Sequence, residues 1–194
     1  MIFSLLFAIA QTTTVPTSET RQLVLDKQAS ITIPSNWKSK SYPMPVRGSV
    51  NFRITSESLR MAITSIPESE EQIESDLPPG LAAKLKEIPE EKKITYEVLR
   101  ASTQYMLLGG KQYAKEESPT FKGEGYLGAI LTFSSPNQTP MFPVFNDKKY
   151  QCVTTSIIKA EKVSYVISVG SEDCSGFEHS SAIAAIKSLV IAGG

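Results

Sequence analysis

The chain has few residues that could carry out catalysis. His179 is its only histidine, so a serine or cysteine nucleophile activated by imidazole would have to use it. Ser180 and Ser181 would share a helix with His179 without being aimed at it, and we predict an exposed histidine in the first turn of that helix. One histidine and two cysteines cannot complete a four-ligand zinc site, so we predict neither a metal nor another cofactor.

Two short segments match ligand-binding motifs in residue type only. Residues 123–128 (GEGYLG) match the dinucleotide pattern G-x-G-x-x-G, but the glycines lead into an apolar, β-like run instead of opening a helix. We therefore predict turn or bulge glycines. An acidic cluster could gather a calcium ion but lacks the spacing of a calcium loop, which indicates a solvated segment. Its members are Glu68, Glu70, Glu71, Glu74 and Asp76.

The chain has two cysteines, Cys152 and Cys174. Residues 150–158 and 163–169 are rich in β-branched types, and folding them as a hairpin brings both cysteines to one end. We predict a disulfide, which would stabilise the fold by about 3 kcal/mol and is typical of an oxidising compartment. Two unrelated buried thiols are the alternative.

Two loops set large apolar side chains among prolines, which stiffen the backbone and remove hydrogen-bond donors. The loops are residues 42–45 (YPMP) and 139–145 (TPMFPVF). If exposed, these side chains form an apolar patch of the kind that binds a partner or ligand; the alternative is that they plug the end of the sheet. The predicted binding residues are Tyr42, Met44, Met141, Phe142 and Phe145.

The sequence also predicts the β-strands that position the residues named above. Residues 50–55 alternate apolar and polar side chains and, with residues 59–66, predict a hairpin. Short β-like runs at 21–25 and 29–33 precede it. Residues 126–133 are apolar on both alternating faces, which predicts a central strand covered on both sides.

Helical periodicity occurs in the middle and at the end of the chain. Residues 90–108 place Ile94, Val98, Ala101, Tyr105 and Leu108 on one stripe, between an N-terminal proline and a Gly-Gly stop.

The second such helix covers about residues 177–187, and its expected stripe contains Phe177, Ile183, Ile186 and Val190. Residues 81–88 could add two helical turns. The order of elements predicts an α+β fold, a largely antiparallel β-sheet with helices packed on both faces.

Charge argues against a nucleic-acid partner, because the chain balances 20 basic against 20 acidic residues. The charge is uneven, however. Residues 21–60 hold seven basic and two acidic side chains, whereas residues 68–91 hold eight acidic and two basic ones. These segments are either solvated faces that attract one another or an interaction patch.

The N-terminus predicts export. Residues 1–10 (MIFSLLFAIA) are apolar and end in small residues, as in a cleaved signal peptide; a core strand or a membrane-lying anchor is the alternative. Residues 11–20 then form a flexible polar tail, and residues 21–192 form one globular domain. The apolar run is shorter than the ~20 residues that cross a bilayer, so we predict no transmembrane segment and a periplasmic or secreted protein.

Residues 29–37 (ASITIPSNW) resemble the strand, Ile-Pro, turn and Trp that open PsbP-like domains. Residues 181–192 (SAIAAIKSLVIA) are similar to the way such domains close. The resemblance spans about residues 21–192 and implies an antiparallel sheet flanked by helices, an α/β/α sandwich. It also implies an accessory or binding protein without a shared catalytic motif.

Together these observations predict an exported, non-catalytic binding or accessory domain that recognises a protein partner or a small apolar ligand. A carboxylate-dependent hydrolase of the cell envelope is the alternative, because any two of the 20 acidic residues could meet in a cleft. A structural subunit of an envelope assembly is a third class. Asn137 begins a glycosylation sequon that has meaning only in a eukaryotic host.

Overall fold

The computed structural model describes residues 19–26, 29–43, 49–67, 87–113, 119–135 and 150–191. The strands in these residues are β1 (Thr20–Val24), β2 (Ala29–Pro34), β3 (Lys38–Pro43), β4 (Val50–Thr55), β5 (Leu59–Pro67), β6 (Lys111–Gln112), β7 (Thr120–Gly123), β8 (Tyr126–Ser134), β9 (Cys152–Ala160), β10 (Val163–Ser171) and β11 (Val190–Ile191). The helices are α1 (Glu90–Leu107) and α2 (Phe177–Lys187).

The described strands form two sheets in which every pairing is antiparallel. A small sheet has the order β1-β2-β11, and a large sheet has the order β3-β4-β5-β10-β9-β8-β6, with β7 also paired to β8. The predicted α+β class with a largely antiparallel sheet is therefore confirmed. Strands β3, β6 and β7 were not predicted, because β3 is polar and β6 and β7 are short.

Both predicted hairpins are present. Strands β4 and β5 pair with Phe52 opposite Ile63, and β9 and β10 pair with Ser164 opposite Lys159. The alternation of β4 buries Phe52 and Ile54 and leaves Arg53 exposed. This pattern is that of a strand with one face in the core and one in water.

Helix α1 ends as its sequence predicts. Gly109 has φ +82°, a conformation that costs glycine little because it has no Cβ. The Gly109 N–H donates to Met106 O at 3.0 Å, and the Gly110 N–H donates to Tyr105 O at 2.9 Å. This pair of bonds is the Schellman motif, which satisfies carbonyls at the helix C-terminus.

The buried stripe of α1 differs in part from the prediction. Ile94, Val98 and Tyr105 are buried, but Ala101 and Leu108 are exposed, and Ser102 is buried instead. Burial of Ser102 is tolerated because its hydroxyl donates to Val98 O at 2.7 Å within the helix.

The core has two clusters. The first joins α2 and the small sheet to the large sheet and includes Ile31, Trp37, Ile54, Met61, Ile130, Ile158, Ile167 and Ile186. The second lies beneath α1 and contains Ile94, Val98, Tyr105, Ala129, Leu131, Phe133, Val153 and Ile157. Consecutive residues of β8 therefore alternate between the clusters, as expected for a strand covered on both faces.

The predicted stripe of α2 is wrong at both ends. Phe177 is 53% exposed and Val190 is 57% exposed. The helix stops at Lys187, so Val190 belongs to β11 and the helical period no longer applies to it. The residues that α2 buries are His179, Ala182, Ala185 and Ile186.

Candidate functional site

Tyr42 is the one predicted binding residue within the described part of the chain. Met44, Met141, Phe142 and Phe145 lie outside the described residues, as do the acidic cluster, Asn137 and residues 81–86. Tyr42 is half-buried on β3, the strand that follows Trp37. The surroundings of Tyr42 therefore define the candidate site.

Two cations lie close to the Tyr42 ring. Lys40 Nζ lies 5.2 Å and Arg53 Cζ lies 5.0 Å from the ring centroid. Both distances are within the range of a cation–π interaction, which contributes about 0.5–1 kcal/mol at an exposed site. We call Lys38, Lys40, Tyr42 and Arg53 the Tyr42 surface.

Strand register creates this grouping. Residues 38, 40 and 42 share one face of β3 because side chains alternate along a strand. In the pairing of β3 with β4, Lys40 lies directly opposite Arg53 and Tyr42 lies opposite Asn51. The loop-based prediction included Tyr42 but missed Lys40 and Arg53. The period-2 pattern in KSKSY was the local signal for Lys38 and Lys40, whereas Arg53 required the register.

The Tyr42 surface is electropositive. Strands β3 and β4 contain three basic residues and no acidic residue. A further cation, Arg21 of β1, donates to Trp37 O at 2.8 Å and to Ser39 Oγ at 3.2 Å near the start of β3. Like charges directly opposite one another in a sheet are destabilising, so repulsion between Lys40 and Arg53 works against their attraction to the Tyr42 ring.

The surface lies on the same face of the large sheet as α1, beyond the part that the helix covers. The register aligns Arg53 with Ala62, Ser168, Thr155 and Leu131 in successive strands. Leu131 is buried in the cluster beneath α1, whereas Arg53 is exposed. This arrangement leaves the guanidinium accessible from solvent.

Strand β3 is also the end of the large sheet. Among the described strands, only β4 pairs with it. An end strand presents backbone N–H and C=O groups that can pair with another chain. The site therefore combines positive charge, an aromatic ring and a backbone edge that none of the other described strands pairs with.

The predicted disulfide is present. Cys152 and Cys174 have an S–S distance of 2.11 Å and a Cα–Cα distance of 5.3 Å. Cys152 begins β9, and Cys174 follows β10 in the turn before α2. The β9–β10 hairpin brings them together, as expected from the sequence.

His179 was predicted to be exposed, and this prediction is wrong, because its side chain is 4% exposed. The first turn of α2 packs against β9 and β10, so its inner side is not in solvent. His179 Nδ1 lies 2.9 Å from Ser171 Oγ, and Nε2 lies 3.4 Å from Thr154 Oγ1. Cys152 Sγ of the disulfide lies 3.6 Å from Nδ1.

This environment favours neutral imidazole. Burial lowers the pKa of His179 to about 4, and the nearby Asp173 carboxylate only partly opposes this shift. Hydrogen bonds from Ser175 lower the pKa of Asp173, whose Oδ1 accepts from the Ser175 N–H and hydroxyl at 2.8 Å each. We assign His179 a structural role, since a substrate in solvent would not reach it.

The glycine motif forms a hairpin turn between β7 and β8. Gly123 pairs with Tyr126, and Gly125 has φ +73° in the two-residue turn between them. A strand follows the glycines, so no helix N-terminus is available there to hold a pyrophosphate. The predicted turn role is confirmed.

Two acidic residues of α1 form ion pairs with strands of the large sheet. Glu91 pairs with Lys122 of β7, and Glu97 pairs with Lys159 of β9, both at 2.7 Å. The hydrogen bond from Lys122 lowers the pKa of Glu91.

The described residues contain neither a cluster of metal ligands nor a membrane-spanning helix. No set of three or more His, Cys, Asp or Glu residues there is grouped to hold a metal ion. Neither α1 nor α2 has the length and apolarity needed for a membrane span.

Comparison with known proteins adds no relative. The chain matches no protein-family model, no curated protein and no solved structure.

Proposed function

We propose that the protein is an exported, non-catalytic binding domain that recognises a protein partner through the Tyr42 surface. The observation that carries this proposal is the Lys40–Arg53 pair, two exposed cations that lie opposite one another and within cation–π distance of the Tyr42 ring. Repulsion between the two cations is unfavourable in the isolated domain, although both also interact with the Tyr42 ring. Unfavourable contacts such as this like-charge pair concentrate at functional sites, where a bound partner can offset the repulsion.

Export is supported by two independent features. The Cys152–Cys174 disulfide is typical of a periplasmic or secreted protein, because cytosolic thiols are kept reduced. Residues 1–10 have the apolar character of a signal peptide.

The packing supports a three-layer arrangement for the proposed domain. In it, α1 covers one face of the large sheet, and α2 with the small sheet covers the other. An α/β/α sandwich of this kind is what the PsbP-like resemblance implies, and an accessory or binding role accompanies it.

The carboxylate hydrolase remains the alternative, with no specific observation in its favour. The acidic side chains of α1 contact lysines, as in the Glu90–Lys93, Glu91–Lys122 and Glu97–Lys159 pairs. These contacts account for the three carboxylates without a catalytic role.

A crosslinking experiment in the native host tests the proposal. The wild-type chain is compared with the triple variant K40Q/Y42S/R53Q and with the control K92Q/R100Q, whose two sites are exposed on α1. We expect wild type and control to recover the same partner and the triple variant to lose it. Equal recovery by all three chains, each with an unchanged melting temperature, would contradict the Tyr42 surface as the binding site.

A separate variant tests the predicted binding role of the apolar side chains in residues 139–145. M141S/F142S/F145S removes the three apolar side chains predicted from the sequence to bind a partner. Loss of the partner only in this variant would transfer the binding site to residues 139–145.

A further inference from the structure

From the Tyr42 surface we infer the chemistry of the partner: an extended acidic segment that pairs with β3 as an additional strand of the large sheet. The inference rests on the proposed binding function and specifies what this surface accepts. It combines the charge of β3 and β4 with the open edge of β3.

The charge pattern has the period of a strand. Lys38 and Lys40 project from the same face of β3, about 7 Å apart, because alternate residues of a strand share a face. A paired strand with acidic residues at alternate positions would set one carboxylate beside each lysine. A carboxylate beside Lys40 would also offset its repulsion from Arg53.

The ends of the usable edge are defined by two residues. Pro43 ends β3 and has no backbone N–H to donate. At the other end, the carbonyl of Trp37 already accepts a hydrogen bond from Arg21. Residues 38–42 therefore remain available for strand pairing. Their number matches a partner segment of about five residues, a common strand length.

The same features disfavour a second copy of this chain. Pairing of β3 with β3 would bring lysines together from both copies, and edge lysines commonly prevent such self-association. An anionic bilayer or polyanion would satisfy the charges but would not pair with the backbone edge. An acidic polypeptide would contact the positive side chains and also pair with the backbone edge of β3. This mode of binding is known as β-augmentation.

Binding of labelled peptides to the full chain, with its disulfide formed, tests the inference by fluorescence anisotropy. The probe is a short peptide in which Glu alternates with Val. In one comparison peptide Pro replaces Val, which keeps the charge but removes amide donors; in another, Lys replaces Glu. We expect the Glu-Val peptide to bind at least about tenfold more tightly than either, with an affinity that falls as salt increases.

Protein variants locate the binding. K40Q/R53Q should weaken the Glu-Val peptide by about tenfold, whereas K92Q/R100Q should leave its affinity unchanged. Circular dichroism and the melting temperature verify that both variants are folded. An equal effect of the two variants would overturn the assignment to β3.

The remaining outcomes separate the inference from the proposed function. Equal affinity for the Pro peptide, or for polyphosphate and anionic vesicles, would overturn the strand-pairing inference in favour of a general anion surface. Failure of the Glu-Val peptide to bind would also overturn it, while loss of the native partner in K40Q/Y42S/R53Q would still support the proposed function. Peptide binding without any effect on native partner recovery would support the acidic-strand site and contradict that function.

Discussion

At the scale of single residues, burial determines what the chemistry-bearing side chains can do. His179 contacts Ser171, Thr154 and the disulfide sulfur of Cys152, so its polar atoms have partners inside the protein. Lys40 and Arg53 are exposed, although they lie opposite one another on adjacent strands. The histidine is therefore part of the core, and the two cations are available to a partner.

The buried imidazole makes stability depend on pH. The pKa of His179 falls from 6.5 to about 4 on folding, so the folded chain binds the proton less tightly than the unfolded chain. Lowering the pH therefore favours unfolding. The stabilisation is complete above pH 6.5 and is lost as the pH approaches 4. The full shift corresponds to about 3 kcal/mol.

Urea unfolding at a series of pH values measures this effect. H179N keeps polar atoms near Ser171 but cannot titrate, so its free energy of unfolding should lose this pH dependence. The same decline in wild type and H179N between pH 6.5 and 4 would contradict the assignment.

At the scale of elements, α1 shows how one helix uses two faces. Ile94, Val98 and Tyr105 pack against β8 and β9. The outer face also carries apolar residues, including Tyr96 at 66% exposure and Leu107 at 82% exposure. Apolar content alone therefore does not identify the packed face.

Paired substitutions distinguish the two faces of α1. V98A removes buried methyl groups and should lower the free energy of unfolding by about 2 kcal/mol, because a cavity remains beneath the helix. L107A removes exposed atoms and should change it by less than about 0.5 kcal/mol. Chemical denaturation of both variants provides the measurement, and equal losses would show that the packed face is misassigned.

Across the whole molecule, long-range contacts connect the two sheets and α2. Tyr165 of β10 donates to Asp26 Oδ2 at 2.7 Å, which links the large sheet to the segment between β1 and β2. The Thr32 N–H donates to Ser188 Oγ at 2.8 Å and links the small sheet to the end of α2. The disulfide adds a covalent link between the start of β9 and the turn before α2.

Removing the disulfide should destabilise the whole domain. C152A/C174A opens a loop with a sequence separation of 22 residues, which corresponds to a loss of about 3 kcal/mol in the chain-entropy description. Urea unfolding of this variant, and of wild type with and without reductant, measures the loss. Unchanged stability in both reduced and substituted chains would contradict a stabilising role.

Features that depend on local periodicity could be predicted from the order of the amino acids alone. The alternation in residues 50–55 predicted β4, and the Gly-Gly stop predicted the end of α1, because backbone preference and side-chain spacing act within a few residues. The cysteine hairpin was predictable for the same reason, since its two strands are adjacent in sequence.

The burial of His179 and the grouping of Lys40, Tyr42 and Arg53 depend on contacts between segments that are distant in sequence. The first depends on how α2 packs against the large sheet, and the second depends on the register of β3 with β4. A shift of one residue would move Lys40 away from Arg53 and reverse the faces of β3. Register and layer packing arise from contacts between distant segments, so local sequence patterns do not specify them.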